Sequence, residues 1–436
     1  MTADRLAAIA EALREAARRQ GTPVQVTDAA TIGAAVAELA AAFPDPWVRQ
    51  YSVKANDVAA VVGLMTGGAA GAGASGGLGA NVVSRGEWAI ARQAGVRNHR
   101  ITVEGVGKTD ADLAAAVRAC VEGLPPLWLA IESADEAEAL IAIASRARIG
   151  IHAKPPLDVL FRLNPDVDPE TQAGLAVGSG GSKFGMTETE LSATVERVAA
   201  AGPWLRPRGI HLHVGSQLGA VDAWRDAVRR GLAVLGLLRG SLPAFDTLDV
   251  GGGFPVLPLG EPEPGPERFA RELPALLEAI PADRRPTRFA IEPGRFLVAR
   301  AGWLVARVLH VRDRGGRQVV LDTGMAELIR PALYGGRHPI VSLTSLGEPV
   351  DPATATGDAL EPAAVHGPIC ESTDELGEHL LPPLRRGDLV AIRDAGAYAA
   401  SLSSTYNGRP RPPQVLLEPD GRLVLARRRG RLTSLG

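Results

Sequence analysis

The residues of this chain that could do chemistry fall in short motifs far apart along it. They are Lys54 in YSVKAN (51–56), His211 and His213 in HLHVGSQ (211–217), the glycines of GGGF (251–254), and Glu292, Gly294 and Arg295 in EPGR (292–295). Lys54 is conspicuous because the chain has only four lysines, at 54, 108, 154 and 183, with arginine supplying its other cations. Arginine cannot be deprotonated in a protein, whereas a desolvated lysine amine can lose its proton and act as a nucleophile or form a Schiff base. The competing reading is an ordinary snorkelling or phosphate-pairing lysine. Three successive glycines let the backbone approach a ligand closely and offer unpaired N–H groups, and Ser216 with the backbone at Gly294 and Arg295 could complete a phosphate cradle. Standing alone, Gly251, Gly252 and Gly253 would read as a flexible turn. His211 and His213 could ligate a metal as an H-x-H pair, since alternate strand residues point the same way, but no third ligand is evident nearby. Alternatively His213, beside Gly215 and Ser216, could lie flat against an aromatic cofactor ring. His211 would then be a core histidine, and a carboxylate such as Glu292 could keep a ring nitrogen protonated. Together, a lysine Schiff base, a phosphate cradle, a ring-facing imidazole and a carboxylate for a pyridinium nitrogen describe pyridoxal phosphate, an electron sink for carbanions.

Such motifs need elements to bring them together. From about residue 48, runs rich in branched and aromatic residues alternate with alanine-rich stretches of helical period. The strand candidates are 48–54, 78–83, 100–105, 127–132, 158–163, 209–214, 247–251 and 287–292, with helix candidates near 57–65, 86–94, 110–122, 134–147, 187–201, 221–240 and 266–280. Eight strand–helix units in about 250 residues predict an α/β fold with a parallel, closed TIM-like (β/α) barrel. In that architecture functional groups gather at the C-terminal ends of the strands, which is where the motifs fall. From about 297 onward, short β-rich runs separated by Pro and Gly clusters predict a second, mainly β domain of sandwich or barrel type. The expected division is a cofactor-binding barrel over 28–296 and a second domain of 297–436 joined by 1–27, where MTADRLAAIAEALREAARRQ reads as a charged amphipathic helix. The glycine-rich tract 67–79 reads as a flexible connection, and the proline-rich segment 255–266 as a loop. Two motif look-alikes are set aside: Gly71 to Gly76 matches a dinucleotide fingerprint but precedes a strand, and Gly105-Val-Gly107-Lys108-Thr109 lacks the first glycine of a phosphate loop, Thr102 standing in its place.

Composition narrows the class of partner. A formal net charge of -2 gives no reason to expect nucleic acid or an acidic membrane. Arg427, Arg428 and Arg429 form a short basic run that reads as a solvated strand edge. Two cysteines, Cys120 and Cys370, cannot build a disulfide framework and suggest a reducing compartment, the cytoplasm by default. No charge-free apolar stretch approaches membrane-spanning length, and the N-terminal residues lack the h-region of a signal peptide.

Ordered along the chain, YSVKAN (51–56), VVSRGE (82–87), GVGKT (105–109), RLNPDVD (162–168), SKFGM (182–186), HVGSQ (213–217), GGGF (251–254), EPGR (292–295), RPALYGGRH (330–338), GPICESTD (367–374) and GAYAASLSSTYNGRPRP (396–412) resemble the barrel-type pyridoxal-phosphate decarboxylases related to alanine racemase, most closely the diaminopimelate decarboxylases. The resemblance implies a homodimer whose active sites lie between the barrel of one subunit and the second domain of the other. It implies that Lys54 is the Schiff-base lysine, His213 the ring-stacking residue and Glu292 the partner of the pyridine nitrogen. Ser216, Gly252, Gly253, Gly294, Arg295 and Tyr398 resemble the phosphate and cofactor site. Cys370 resembles the residue that comes from the partner subunit and delivers a proton. Arg295, Arg330 and Tyr334, with Tyr398, resemble the group that binds a distal substrate carboxylate, and Glu371 the acceptor of a distal amine. The implied reaction is decarboxylation of meso-2,6-diaminopimelate to L-lysine and carbon dioxide, the last step of lysine biosynthesis. Phe254-Pro255 looks more like ornithine-type relatives, and AGLAVGSGGSKFG (173–185) is also unusual. A decarboxylase acting on ornithine, lysine, arginine or a specialised amino acid therefore stays open, as do a racemase on the same barrel and a catalytically silent regulatory homologue.

Overall fold

The computed structural model describes residues 3–67, 77–151, 154–167, 181–257, 263–344, 349–351 and 360–434. Most of the tract 67–79, residues 173–180 of the unusual 173–185 stretch, and the centre of the 255–266 loop lie outside these residues. A first strand, β1 (Val24–Asp28), precedes eight strands that close into a parallel barrel: β2 (Val48–Ser52), β3 (Gly79–Val82), β4 (Ile101–Val103), β5 (Trp128–Ile131), β6 (Leu157–Leu163), β7 (Leu205–Leu212), β8 (Thr247–Asp249) and β9 (Arg288–Ile291). Closure is made by β2 against β9, with Val48 opposite Ala290 and Arg49 opposite Ile291. All eight strand candidates are present, seven of them ending one or two residues earlier than the apolar run and β6 ending with it, so the motif residues stand just beyond the strand ends.

Local sequence fixes where each helix begins. Ser84, Thr109, Ser133 and Thr187 cap the helices Arg85–Gln93, Asp110–Val121, Ala134–Ala147 and Glu188–Ala200, their hydroxyls accepting the N–H of the residue three positions on. Thr109 with Asp112 and Thr187 with Glu190 make reciprocal capping boxes. A hydroxyl or carboxylate at such a point satisfies the N–H groups a helix start leaves orphaned, so the preceding loop has a set length. The helix expected over 266–280 is two pieces, Pro266–Ala270 and Leu273–Glu278, with Pro274 in the first turn of the second. A helix that the sequence pattern did not disclose, Ala29–Ala42, runs from an Asp28 cap to β2 and buries Ile32 and Leu39. Its alanine-rich run has too little polar contrast to show an apolar face.

The other sheet has nine strands. Alongside β1 it contains β10 (Gly302–Asp313), β11 (Arg317–Leu321), β12 (Ile340–Ser342), β13 (Glu361–His366), β14 (Glu375–Leu381), β15 (Leu389–Ile392), β16 (Gln414–Leu417) and β17 (Leu423–Arg427). β1 lies between β10, to which it is antiparallel, and β16, to which it is parallel, so the chain enters this sheet before it enters the barrel. The amphipathic helix Ala3–Gln20 covers it, burying Ile9, Leu13 and Ala16 with Val24, Val26 and Trp303. The basic run near the end is less solvated than expected. Arg427 reaches Gln25 Oε1 at 3.4 Å, and Arg429 donates to the carbonyls of Gln20 and Pro23 at 3.1 and 2.9 Å. It ties the last strand to the start of the chain.

Candidate active site

A cavity of about 470 Å³ opens at the C-terminal ends of the barrel strands. Lys54 enters it from a short 3₁₀ turn, Val53–Ala55, that follows β2 directly. That turn is clamped: Tyr51 Oη donates to the Asn56 carbonyl at 3.0 Å, Asn56 Nδ2 donates to the Gly396 carbonyl at 3.0 Å, and the Tyr398 N–H donates to the Ala55 carbonyl at 2.7 Å. The last two bonds cross from the barrel to the other sheet's 395–398 loop. They bring Tyr398, at a φ of 63°, into the cavity wall.

His213 follows β7, and its Nδ1 accepts the Gly252 N–H at 3.3 Å. Burial first, then the nearby Lys54 and Arg162 cations, push its ring well below the ordinary histidine range, so the imidazole is neutral. Gly252 therefore serves behind the ring and is not in the cavity wall, whereas Gly253, Gly294 and Ser216 are. At Gly253, with φ of 111°, an added Cβ would stand 2.6 Å from the Gly215 carbonyl, and at Gly252 it would stand 2.5 Å from the Glu292 carbonyl. Side chains are excluded here, and the backbone is what faces the cavity. Phe254, which set this motif apart, is buried in a cluster with Phe43, Phe269 and Phe296 and anchors the glycine turn from behind.

Glu292 follows β9 at the cavity floor, fully enclosed. Asn81 Nδ2 donates to its Oε1 at 2.7 Å, and His211 Nε2 lies 3.4 Å from its Oε2 and 3.3 Å from Oε2 of Glu104. Burial, and then the Glu104 charge, push Glu292 well above the carboxylate range. The H-x-H reading is thus corrected: His211 groups with Glu104 and Glu292, whose ligand atoms lie within 4.8 Å of one another, while His213 turns to the glycine turn. Sequence reasoning passed over Glu104 and Asn81, although both belong to strand candidates 100–105 and 78–83 and Glu104 falls one residue beyond β4.

On the opposite wall Arg295 donates to Ser216 Oγ through Nε at 3.3 Å and Nη2 at 3.0 Å, and its guanidinium stacks 4.7 Å from the Tyr398 ring centre. Its Nη1 is buried with no hydrogen-bond partner. Arg330 and Tyr334 reach the same cavity from the helix Arg330–Tyr334 of the 330–338 motif. Burial, then Arg295, push Arg330 down to about 10, and its Nη1 donates to His338 Nε2 at 2.9 Å.

Besides Gly252, two expected residues are not in this cavity. Cys370 and Glu371 are exposed on the 367–374 loop, with Tyr406 Oη donating to Glu371 Oε1. That loop is built around Asp374, whose buried carboxylate accepts the N–H groups of Met325 at 2.6 Å and Ile369 at 2.7 Å. Cys120 is buried, its thiol pushed up to about 12 by that burial, and takes no part. Lys108 is engaged with Glu136 Oε1 at 3.0 Å and the Gly105 carbonyl, so it is held away from the cavity, while Gly105, Val106 and Gly107 of the same turn form part of the cavity wall.

The cofactor inferred from sequence fits these walls. An accessible amine faces them, glycine backbone stands where no Cβ has room, and buried polar atoms of Arg295, His211 and Glu104 lack partners. Fold and site together define a barrel-type pyridoxal-phosphate enzyme. Residues 29–299 match the family model described as "Pyridoxal-dependent decarboxylase, pyridoxal binding domain". The chain is 34% identical over 422 residues to diaminopimelate decarboxylase of Aquifex aeolicus, covering 96% of this chain and 91% of that one. It is 38% identical over 424 residues to the Actinosynnema pretiosum enzyme of the same name, covering 95% and 88%. The solved structure of diaminopimelate decarboxylase from Helicobacter pylori complexed with L-lysine superposes with a TM-score of 0.83 at 28% identity, covering 97% of this chain and 98% of that one. The chain belongs to the pyridoxal-dependent decarboxylase family, and is a pyridoxal-phosphate-dependent amino-acid decarboxylase.

Proposed function

We propose that this decarboxylase acts on meso-2,6-diaminopimelate, releasing carbon dioxide and giving L-lysine. The observation that carries the reading is the pair Arg295 and Arg330 in one cavity wall. They repel each other, and one buried guanidinium nitrogen lacks a partner. A substrate with a cationic or neutral far end would leave that repulsion standing, whereas a distal carboxylate relieves it and matches a guanidinium fork bidentately. The names and near-full-length coverage of the relatives support the same substrate.

When bound, the cofactor supplies the electron sink for the pair left as the carboxylate departs. The chain's residues do the rest. Lys54 would supply the amine that holds the cofactor. His213, neutral and held by the Gly252 N–H, offers a flat face to the ring. Ser216, Gly253 and Gly294 supply hydroxyl and backbone for the phosphate. Glu292 governs the proton at the ring nitrogen. Arg295, Arg330, Tyr334 and Tyr398 hold the distal end, so that the carboxylate to be lost is the one beside the Lys54 end of the cavity.

The exposed 367–374 loop supports a homodimer in which Cys370 and Glu371 complete the partner's cavity, Cys370 protonating the product carbon and Glu371 accepting the distal ammonium. No helix among the described residues is long and apolar enough to cross a membrane, and a cytoplasmic enzyme is the corresponding proposal. The test is carbon dioxide release from purified, cofactor-loaded protein offered meso-diaminopimelate beside L-ornithine, L-lysine and L-arginine. Release from diaminopimelate alone is expected, and release from one of the others in its place overturns the substrate assignment.

A further inference from the structure

Beside Glu292 in the cavity wall lies a set of charged side chains to which the reaction gives no role. Glu104, just past β4, and His211, in β7, are 4% and 2% exposed, so neither is open to bulk water. Nε2 of His211 stands 3.3 Å from Glu104 Oε2 and 3.4 Å from Glu292 Oε2, within ion-pair distance of each glutamate though aligned for a hydrogen bond to neither. The other Glu292 oxygen is taken by Asn81. With Asp249 of β8, three enclosed carboxylates surround a single imidazole. Three anions cannot share such a space unless protons remove part of the charge. Burial and the Glu104 charge raise Glu292. Burial works against the Glu104 anion too, but the His211 ring and the hydrogen bond to Glu292 hold Glu104 below its usual range. These pushes favour a neutral Glu292 and Asp249 and an anionic Glu104.

We infer that Glu104 and His211 are positioning residues that decide whether the proton shared with Glu292 stays on that carboxylate or passes to the ring nitrogen of the cofactor, an inference that rests on Glu292 being that nitrogen's partner. The step breaks the Glu292 O–H bond and forms a ring N–H bond, with no net gain or loss of protons. A His211 N–H placed between both glutamates favours the Glu292 anion and so favours transfer. The Glu104 anion draws the proton back and opposes it. The other ionisable groups facing this set are Lys54 and Asp249, the latter through its hydrogen bond, both of which favour the Glu292 anion, Arg162, paired with Glu132 at 2.7 Å, and the neutral His213. His211 and Asn81 each touch both glutamates, and His211 is the one of the two that can carry a charge.

Opposed roles give a test that simple damage to the fold cannot imitate. The holoenzyme is loaded with pyridoxal phosphate isotopically labelled at its ring nitrogen, and protonation of that nitrogen is read by nitrogen NMR without substrate. His211→Asn is expected to lower the ratio of protonated to unprotonated nitrogen by about tenfold, the equivalent of one pKa unit of lost charge interaction. Adding Glu104→Gln to that variant is expected to restore most of the ratio, and Glu104→Gln alone to leave it at or above the wild-type value. The conservative His211→Gln, whose amide keeps an N–H near the same place, should lose less than His211→Asn. An unchanged ratio in His211→Asn, or a loss that Glu104→Gln does not reverse, overturns the inference. Should His211→Asn not fold, a fall in the ratio in Glu104→Gln alone overturns it equally. Glu292→Gln separates the underlying reading: if the ring nitrogen keeps its proton there, the assignment of Glu292 fails at its root.

Discussion

Arg330→Gln removes one of the two guanidinium groups proposed to hold the distal carboxylate, and the structure fixes its expected effect on both stability and rate. In the protein alone, Arg330 is pushed from its ordinary value down to about 10, by burial first and by Arg295 second. A cation whose folded pKa is depressed destabilises the fold at every pH below that value, here by about 3 kcal/mol at neutral pH, and the penalty fades as pH rises through about 10. Glutamine keeps a donor for His338 Nε2, which Arg330 now supplies at 2.9 Å. The variant should therefore melt no lower than the parent. A bound carboxylate gains one or two charge-assisted hydrogen bonds from Arg330, about 1.5–3 kcal/mol each, and part of this gain offsets the burial penalty. The net loss on substitution is about 1–3 kcal/mol, or roughly 5- to 150-fold in kcat/KM. The assay is carbon dioxide release from meso-diaminopimelate, run beside thermal melting of the same preparation. A kcat/KM within twofold of the parent refutes the clamp, and so does a comparable loss accompanied by a clear fall in Tm, because that would make Arg330 a structural residue.

Three further outcomes are expected. Lys54→Ala should lose nearly all carbon dioxide release and Cys370→Ala nearly all L-lysine formation, because Cys370 acts after the carboxylate has left, but mixing them under conditions of subunit exchange should restore lysine formation that neither has alone; no recovery in proven mixed dimers would remove the shared-site reading. Asp374→Ala strips the acceptor from two buried N–H groups of the loop bearing Cys370 and should cost about 2–5 kcal/mol in denaturant unfolding; an unchanged midpoint would show that the loop holds without it. His338 is pushed down to about 3 by burial and then by Arg330. Its neutral form is the folded form, so stability is complete above about 6.5 and is lost as pH falls from there toward 3, by up to about 4–5 kcal/mol. His338→Gln should flatten that part of the stability curve, and a curve of unchanged slope would mean another group supplies it.

The eight barrel strands were legible because each is a short buried run followed by a helical segment, capped by Ser or Thr after β3, β4, β5 and β6, and these are local signals. Lys54 and Glu292 were legible for a related reason: parallel strands of one barrel end on one face, so residues at successive strand ends must meet. The Ala29–Ala42 helix escaped because alanine carries little contrast between faces. Cys370 and Glu371 were legible only through resemblance, since nothing in one chain brings their loop to its own cavity. Composition and periodicity by themselves thus determined the barrel, the lysine at a strand end and the glycine turn. Only the tertiary structure decided that His211 joins Glu104 and Glu292 while the neighbouring His213 turns to Gly252, and that Arg295 and Arg330 confront each other. Those choices depend on distances between strands whose sequence separation is large, and the charge of a buried group is set by whichever neighbours the closed barrel places within a few ångströms of it.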